Sequence, residues 1–107
     1  MNKQKQKYPP PRVIAIDVDD TLFSRGQLNE PLVGWIKEKA AAGYEVFIWS
    51  SRGTAYARES AAKAGLSDII AAALSKPGYI VDDQGWNWIR YTRVVQPTGT
   101  AWPRGKR

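Results

Sequence analysis

Val13-Ile14-Ala15-Ile16-Asp17-Val18-Asp19-Asp20-Thr21 is an apolar, largely β-branched run that stops abruptly in three acids and a hydroxyl. Four apolar residues without polar alternation read as a central strand buried on both faces. Working outward, Pro31 opens a helical pattern carried by Leu32, Val33, Trp35, Ile36, Lys39 and Ala40, with Asn29 as N-cap and Gly43 as the stop. Val46-Phe47-Ile48-Trp49 is a second apolar strand, closing in Ser50-Ser51-Arg52-Gly53. A second helix is predicted over Ala55–Ala64, ended by Gly65, and Asp68–Ala73 is an ambiguous stretch with room for a short third strand. Tyr79-Ile80-Val81 reads as a further strand ending at Asp82-Asp83, and Tyr91–Val95 as a candidate edge strand.

Strand and helix alternate with short connections, which predicts a parallel sheet with helices on both faces. In such sheets the binding crevice lies outside the carboxyl ends of the strands. The polar punctuation falls on that edge: Asp17 and Asp19, then Ser50, then Asp82 and Asp83. The expected organisation is a polar basic leader over 1–11, one domain over 12–95 and a basic tail over 96–107. The 107 residues leave no room for a second domain.

Composition narrows the chemistry. The chain has no Cys and no His, which excludes disulfides, thiolate or imidazole zinc sites, cysteine nucleophiles and triads built on imidazole. What remains is carboxylates, hydroxyls, lysine, arginine, backbone amides and a hard metal. The net charge of +6 is unevenly spread. Lys3, Lys5, Lys7 and Arg12 sit at one end, and Arg90, Arg93, Arg104, Lys106 and Arg107 at the other, while all ten acids lie between 13 and 83. Basic ends around an acidic middle describe an anion-attracting rim about a carboxylate site, or simply solubilising tails. No export signal opens the chain and no stretch approaches a membrane span, so a cytoplasmic location is the expectation.

An isolated Asp pair is ordinary turn or cap chemistry. Two pairs on strand ends, joined by Ser50 and Lys76, are different, because clustered like charges need a cation or a retained proton. Mg2+ suits such oxygen ligands, held by one or two carboxylates, waters and a substrate phosphate.

These residues resemble the motifs of the haloacid dehalogenase-like (HAD) hydrolase superfamily. Asp17-Val18-Asp19-Asp20-Thr21 after an apolar strand is similar to its DxDxT signature, Ser50 to its second motif, Lys76 to its third and Asp82-Asp83 to its fourth. The four occur in the family's order between Val13 and Asp83. The resemblance implies a three-layer α/β/α Rossmann-like domain and an Mg-dependent phosphomonoester hydrolase working through an aspartyl-phosphate. It makes Asp17 the nucleophile, Asp19 the general acid and base, and Lys76 an electrostatic aid, all three catalytic. Ser50, Ser51 and Arg52 become substrate-binding residues. The metal would be held by Asp17, Asp19 through its backbone carbonyl, and the Asp82/Asp83 pair, with Asp82 the direct ligand and Asp83 direct or water-mediated. Asp20 is assigned a structural role and Thr21 a bond to local backbone.

Nine residues between Thr21 and Pro31 allow a small flap around Gly26 but no cap domain, so the capless branch is the nearer resemblance. An open site fits a bulky phosphorylated substrate such as a polynucleotide end, or a homo-oligomer whose neighbour serves as a lid. A receiver-type signalling domain uses similar groups, but its phosphorylated Asp should end a middle strand, where this chain has Ser50. The alternative from another class is a non-enzymatic nucleic-acid or protein-binding module on a retained HAD scaffold.

Overall fold

The computed structural model describes residues 8–97. The remainder of the expected leader and most of the expected tail lie outside the described residues. Within them the chain forms β1 (Val13–Asp17), β2 (Phe23–Ser24), β3 (Gln27–Leu28), α1 (Glu30–Ala41), β4 (Glu45–Ser50), α2 (Thr54–Lys63), β5 (Ala72–Ser75) and a 3-10 turn at Asn87–Tyr91. The result is an α/β domain on a three-stranded parallel sheet in the order β1-β4-β5.

Local chemistry sets the boundaries. Asn29 caps α1 by accepting from the Leu32 N–H at 3.2 Å, and Pro31 occupies the first turn, where its missing N–H costs nothing. Gly43 and Gly65 follow the two helices with φ of 97° and 74°, a conformation that lets the chain turn back to the next strand. The Asn29 Nδ2 also donates to the carbonyls of Thr21 at 3.1 Å and Pro97 at 2.9 Å, tying three segments together. Between β1 and α1, Arg25 and Gly26 both have positive φ, the requirement of a two-residue hairpin turn, and β2 pairs antiparallel with β3. This hairpin is the small flap expected around Gly26; no cap domain is inserted there.

Burial on β4 alternates. Val46, Ile48 and Ser50 are buried, whereas Glu45 is exposed and Phe47 and Trp49 are half-buried. Ile16, Val18 and Leu22 meet Leu32, Val33, Trp35 and Ile36 of α1 and Ala57 and Ala61 of α2 in one core. The sheet order β1-β4-β5 puts β4 in the centre, and both α1 and α2 contribute to that one core. β1 therefore lies at the edge of the sheet with only Ile16 buried, which corrects the expectation of a central strand buried on both faces. Phe47 and Trp49 pack edge to face on the other side of β4, with ring centroids 5.3 Å apart.

The predicted strand at Tyr79–Val81 does not form. Tyr79 and Val81 are 94% and 101% exposed, and no strand pairs with that segment. Pro77 removes a backbone donor and Gly78 weakens extended structure, so β-branched residues alone do not create a strand without a ladder partner. The edge strand predicted at Tyr91–Val95 is likewise replaced by the 3-10 turn and an extended segment whose Val95 packs on the core. The ambiguous third strand does form, displaced to Ala72–Ser75.

Candidate active site

The β4–β5 register places Ser50 opposite Ser75, and the β1–β4 register places Asp17 opposite Trp49. All three strands therefore end together, and Lys76 leaves β5 beside β4, its backbone N–H donating to the Ser50 carbonyl at 2.9 Å. By strand alternation Asp17, Trp49 and Lys76 share the outer face. The Lys76 ammonium lies over the Trp49 ring, 5.7 Å from its centroid, and reaches Oδ1 of Asp17 at 3.1 Å. The other oxygen, Oδ2, accepts from the Thr21 hydroxyl at 3.1 Å. Thr21 thus holds the carboxylate of Asp17 rather than the local backbone. The turn that brings it there is closed by the N–H groups of Thr21, Leu22 and Phe23 donating to the Val18 carbonyl.

Asp19 belongs to a second group. The Tyr56 hydroxyl donates to its Oδ1 at 2.7 Å, and Arg52 Nη1 lies 3.4 Å from Oδ2 and 3.5 Å from Oδ1. Arg52 Nη1 also donates to the Tyr56 hydroxyl at 3.0 Å, with the guanidinium stacked 3.9 Å over the ring centroid. The Tyr56 hydrogen bond, with Arg52 behind it, holds the Asp19 carboxyl below its ordinary value against a smaller opposing effect of desolvation. The same bond raises the Tyr56 phenol above its ordinary value. Sequence reasoning missed Tyr56. Helical spacing gave no signal for it, because Arg52 lies before α2 begins at Thr54 and Gly53 intervenes with φ 109°.

Ser50 is buried, and its hydroxyl oxygen accepts from the Arg52 N–H at 3.0 Å, shaping the turn into α2. Ser51 and Arg52 are exposed on that turn. Gly53 precedes α2 with φ 109° and gives it no side-chain cap, so the first N–H groups of α2 keep unspent donor capacity beside Arg52. Asp20 has φ 61° and its carboxylate accepts from the Ser24 hydroxyl at 3.4 Å, a role in the flap.

Asp82 and Asp83 do not join Asp17 and Asp19. Asp82 accepts from the Gln84 N–H at 2.8 Å and closes an exposed turn, and among the described residues no three acids form a group able to hold a metal. Of the ligands expected for Mg2+, this leaves the carboxylate of Asp17 and the backbone carbonyl of Asp19, two residues further along the chain. That set is short of acids but compatible with an ion that keeps several waters and binds substrate phosphate. Beyond Lys76, a shallow cavity of about 200 Å³ is lined by Pro77, Gly78, Ile80, Gly85 and Trp86. The Trp86 and Trp88 rings lie 6.2 Å apart and both are exposed.

No family model matches the chain, and no curated protein or solved structure matches it significantly. No helix among the described residues is long and apolar enough to cross a membrane.

Proposed function

We propose that the protein is an Mg-dependent phosphomonoester hydrolase of the HAD type in which Asp17 attacks phosphorus. The observation that carries this reading is the carboxylate of Asp17 at a parallel-sheet edge, with Lys76 on one oxygen and Thr21 on the other. A carboxylate so held is oriented, and a cation beside it offsets the repulsion between the nucleophile and an incoming phosphate. An Asp17 oxygen bonds to phosphorus as the ester P–O bond breaks, and Asp19, returned to its protonated form by the negative charge of the incoming phosphate dianion, delivers that proton to the departing alkoxide. Asp19 then takes a proton from the water that cleaves the acyl phosphate.

Arg52, Ser51 and the uncapped start of α2 are the groups for the phosphoryl oxygens, with Ser50 shaping their turn. Mg2+ would be held by Asp17, the Asp19 carbonyl and substrate oxygens, supplying Lewis-acid charge neutralisation. Asp82 and Asp83 would join them only if the segment after Lys76 moved towards β1. In the three-layer arrangement, the outer sheet face of Phe47, Trp49 and Leu74 would be covered by the chain after Asp83. The uncapped site and the exposed Trp86, Trp88, Arg90 and Arg93 favour a bulky phosphorylated substrate, with polynucleotide ends the leading class.

The test is a screen of phosphoesters from p-nitrophenyl phosphate to 3′- and 5′-phosphorylated oligonucleotides, with Asp17→Asn as control. Hydrolysis that needs Mg2+ and disappears in Asp17→Asn is expected. Equal turnover by that variant, or by wild type in excess chelator, rejects the reading.

A further inference from the structure

Asp19 stands just beyond the end of β1 with its side chain 47% exposed, and the ties on its carboxylate come from α2 and the turn before it. Of the two residues involved, only Tyr56 is well anchored. Its ring packs against the core, whereas the Arg52 side chain is 61% exposed and touches Asp19 only at 3.4–3.5 Å. The direction of the short bond is also defined. The phenol oxygen accepts from Arg52 Nη1 and has one proton, which goes to Asp19 Oδ1.

We propose that Tyr56 is a positioning residue for the acid–base step: it fixes the Asp19 carboxyl through Oδ1 and leaves Oδ2 to exchange the proton with the leaving oxygen. The inference rests on the hydrolase reading of Asp19. A phosphate dianion competes with Asp19 for Arg52, because both are anions and Arg52 is the nearby exposed cation. It does not compete for the phenol in the same way, so the Tyr56 bond keeps Asp19 in place when substrate draws Arg52 off. Losing that orientation costs most where the leaving group most needs a proton.

Tyr56→Phe tests this, since it keeps the ring, its packing and the Arg52 stack and deletes only the hydroxyl. The probes are p-nitrophenyl phosphate, whose phenolate departs nearly unaided, and 2-phenylethyl phosphate, whose alkoxide does not. General acid catalysis is worth about 10²–10⁴-fold, so misplacing the acid should lower kcat for the alkyl ester by about 10-fold or more. The aryl ester should lose less than about 3-fold, with KM little changed for either, since the interaction belongs to the transition state. In an Asp19→Asn background the same substitution should have no further effect, which separates positioning from a general loss of structure. Equal losses on both esters, no loss on either, or the same loss without Asp19 overturns the inference and leaves the hydrolase reading standing. A wild-type protein that hydrolyses neither probe nor any phosphorylated oligonucleotide overturns both.

Discussion

The Lys76 ammonium sits 3.1 Å from Oδ1 of Asp17, joining the ends of two strands that are separated in the sheet by β4. Each side chain of the pair is 36% exposed. An ion pair so open to water contributes only about 0–1 kcal/mol to stability. Its contribution to chemistry is larger, because removing a preorganised charge or donor from a transition state typically costs about 10²–10³-fold. Lys76→Met should therefore melt within a few degrees of wild type yet lose about 10²-fold in kcat on the best phosphoester. Paired melting and steady-state measurements check this. A large loss of stability with kcat intact would assign Lys76 to the fold instead.

Asn29 links the cap of α1 to the carbonyls of Thr21 and Pro97. Replacing an Asn cap by Ala typically costs about 0.5–2 kcal/mol, and here two further partners are lost. Asn29→Ala is expected to lower the unfolding free energy, read from urea denaturation, by an amount at or above the top of that range. Asn29→Asp keeps the capping oxygen but loses both Nδ2 bonds and should fall between. An Asn29→Asp variant as stable as wild type would mean that the bonds to Thr21 and Pro97 contribute nothing.

Much of this fold was legible from a few residues. Asn29, Pro31 and Gly43 mark α1, and Asp17 and Ser50 mark two strand ends, because caps, stops and strand punctuation are local physics. The burial of β4 was not legible, since Val46-Phe47-Ile48-Trp49 is apolar throughout and nothing in it says which residues face the core. Tyr79-Ile80-Val81 shows the same limit, with strand composition but no partner in the ladder. Within the site, Asp17 and Lys76 meet as their strand positions imply. The bonds from Thr21 to Asp17 and from Tyr56 to Asp19 depend on turn geometry and helix phase that side-chain identity alone leaves open.

Stability should depend on acid through Asp19. Its folded-state pKa is depressed, foremost by the Tyr56 hydrogen bond, so its contribution is present above the unfolded value of about 3.9 and is lost as pH falls through the lower folded value. Tyr56→Phe removes the main cause. The difference in denaturation midpoint between wild type and Tyr56→Phe should be steady at pH 6–7 and shrink as pH drops below about 4. A difference unchanged down to pH 2 would assign the effect of the hydroxyl to something other than the ionised carboxylate.

The exposed indoles after Asp83 bear on substrate size. Trp86 lines the cavity next to Pro77, the neighbour of the lysine that reaches Asp17, and Trp88 lies 6.2 Å from it. Arg90 and Arg93 follow in the chain. Aromatic surface beside cations suits a nucleobase over an adjacent phosphate. Stacking of one base on an aromatic side chain is worth about 1–3 kcal/mol, or about 5- to 150-fold in binding. Trp86→Ala should raise KM for an oligonucleotide 3′-phosphate within that range and leave p-nitrophenyl phosphate unaffected. Raising salt from about 50 to 300 mM should erode the oligonucleotide advantage through counterion release, in wild type and variant alike. An equal rise in KM for both substrates would instead give Trp86 a role in supporting the Lys76 turn. An oligonucleotide with no advantage over the small ester at low salt would exclude the polynucleotide class and leave a small-molecule phosphatase.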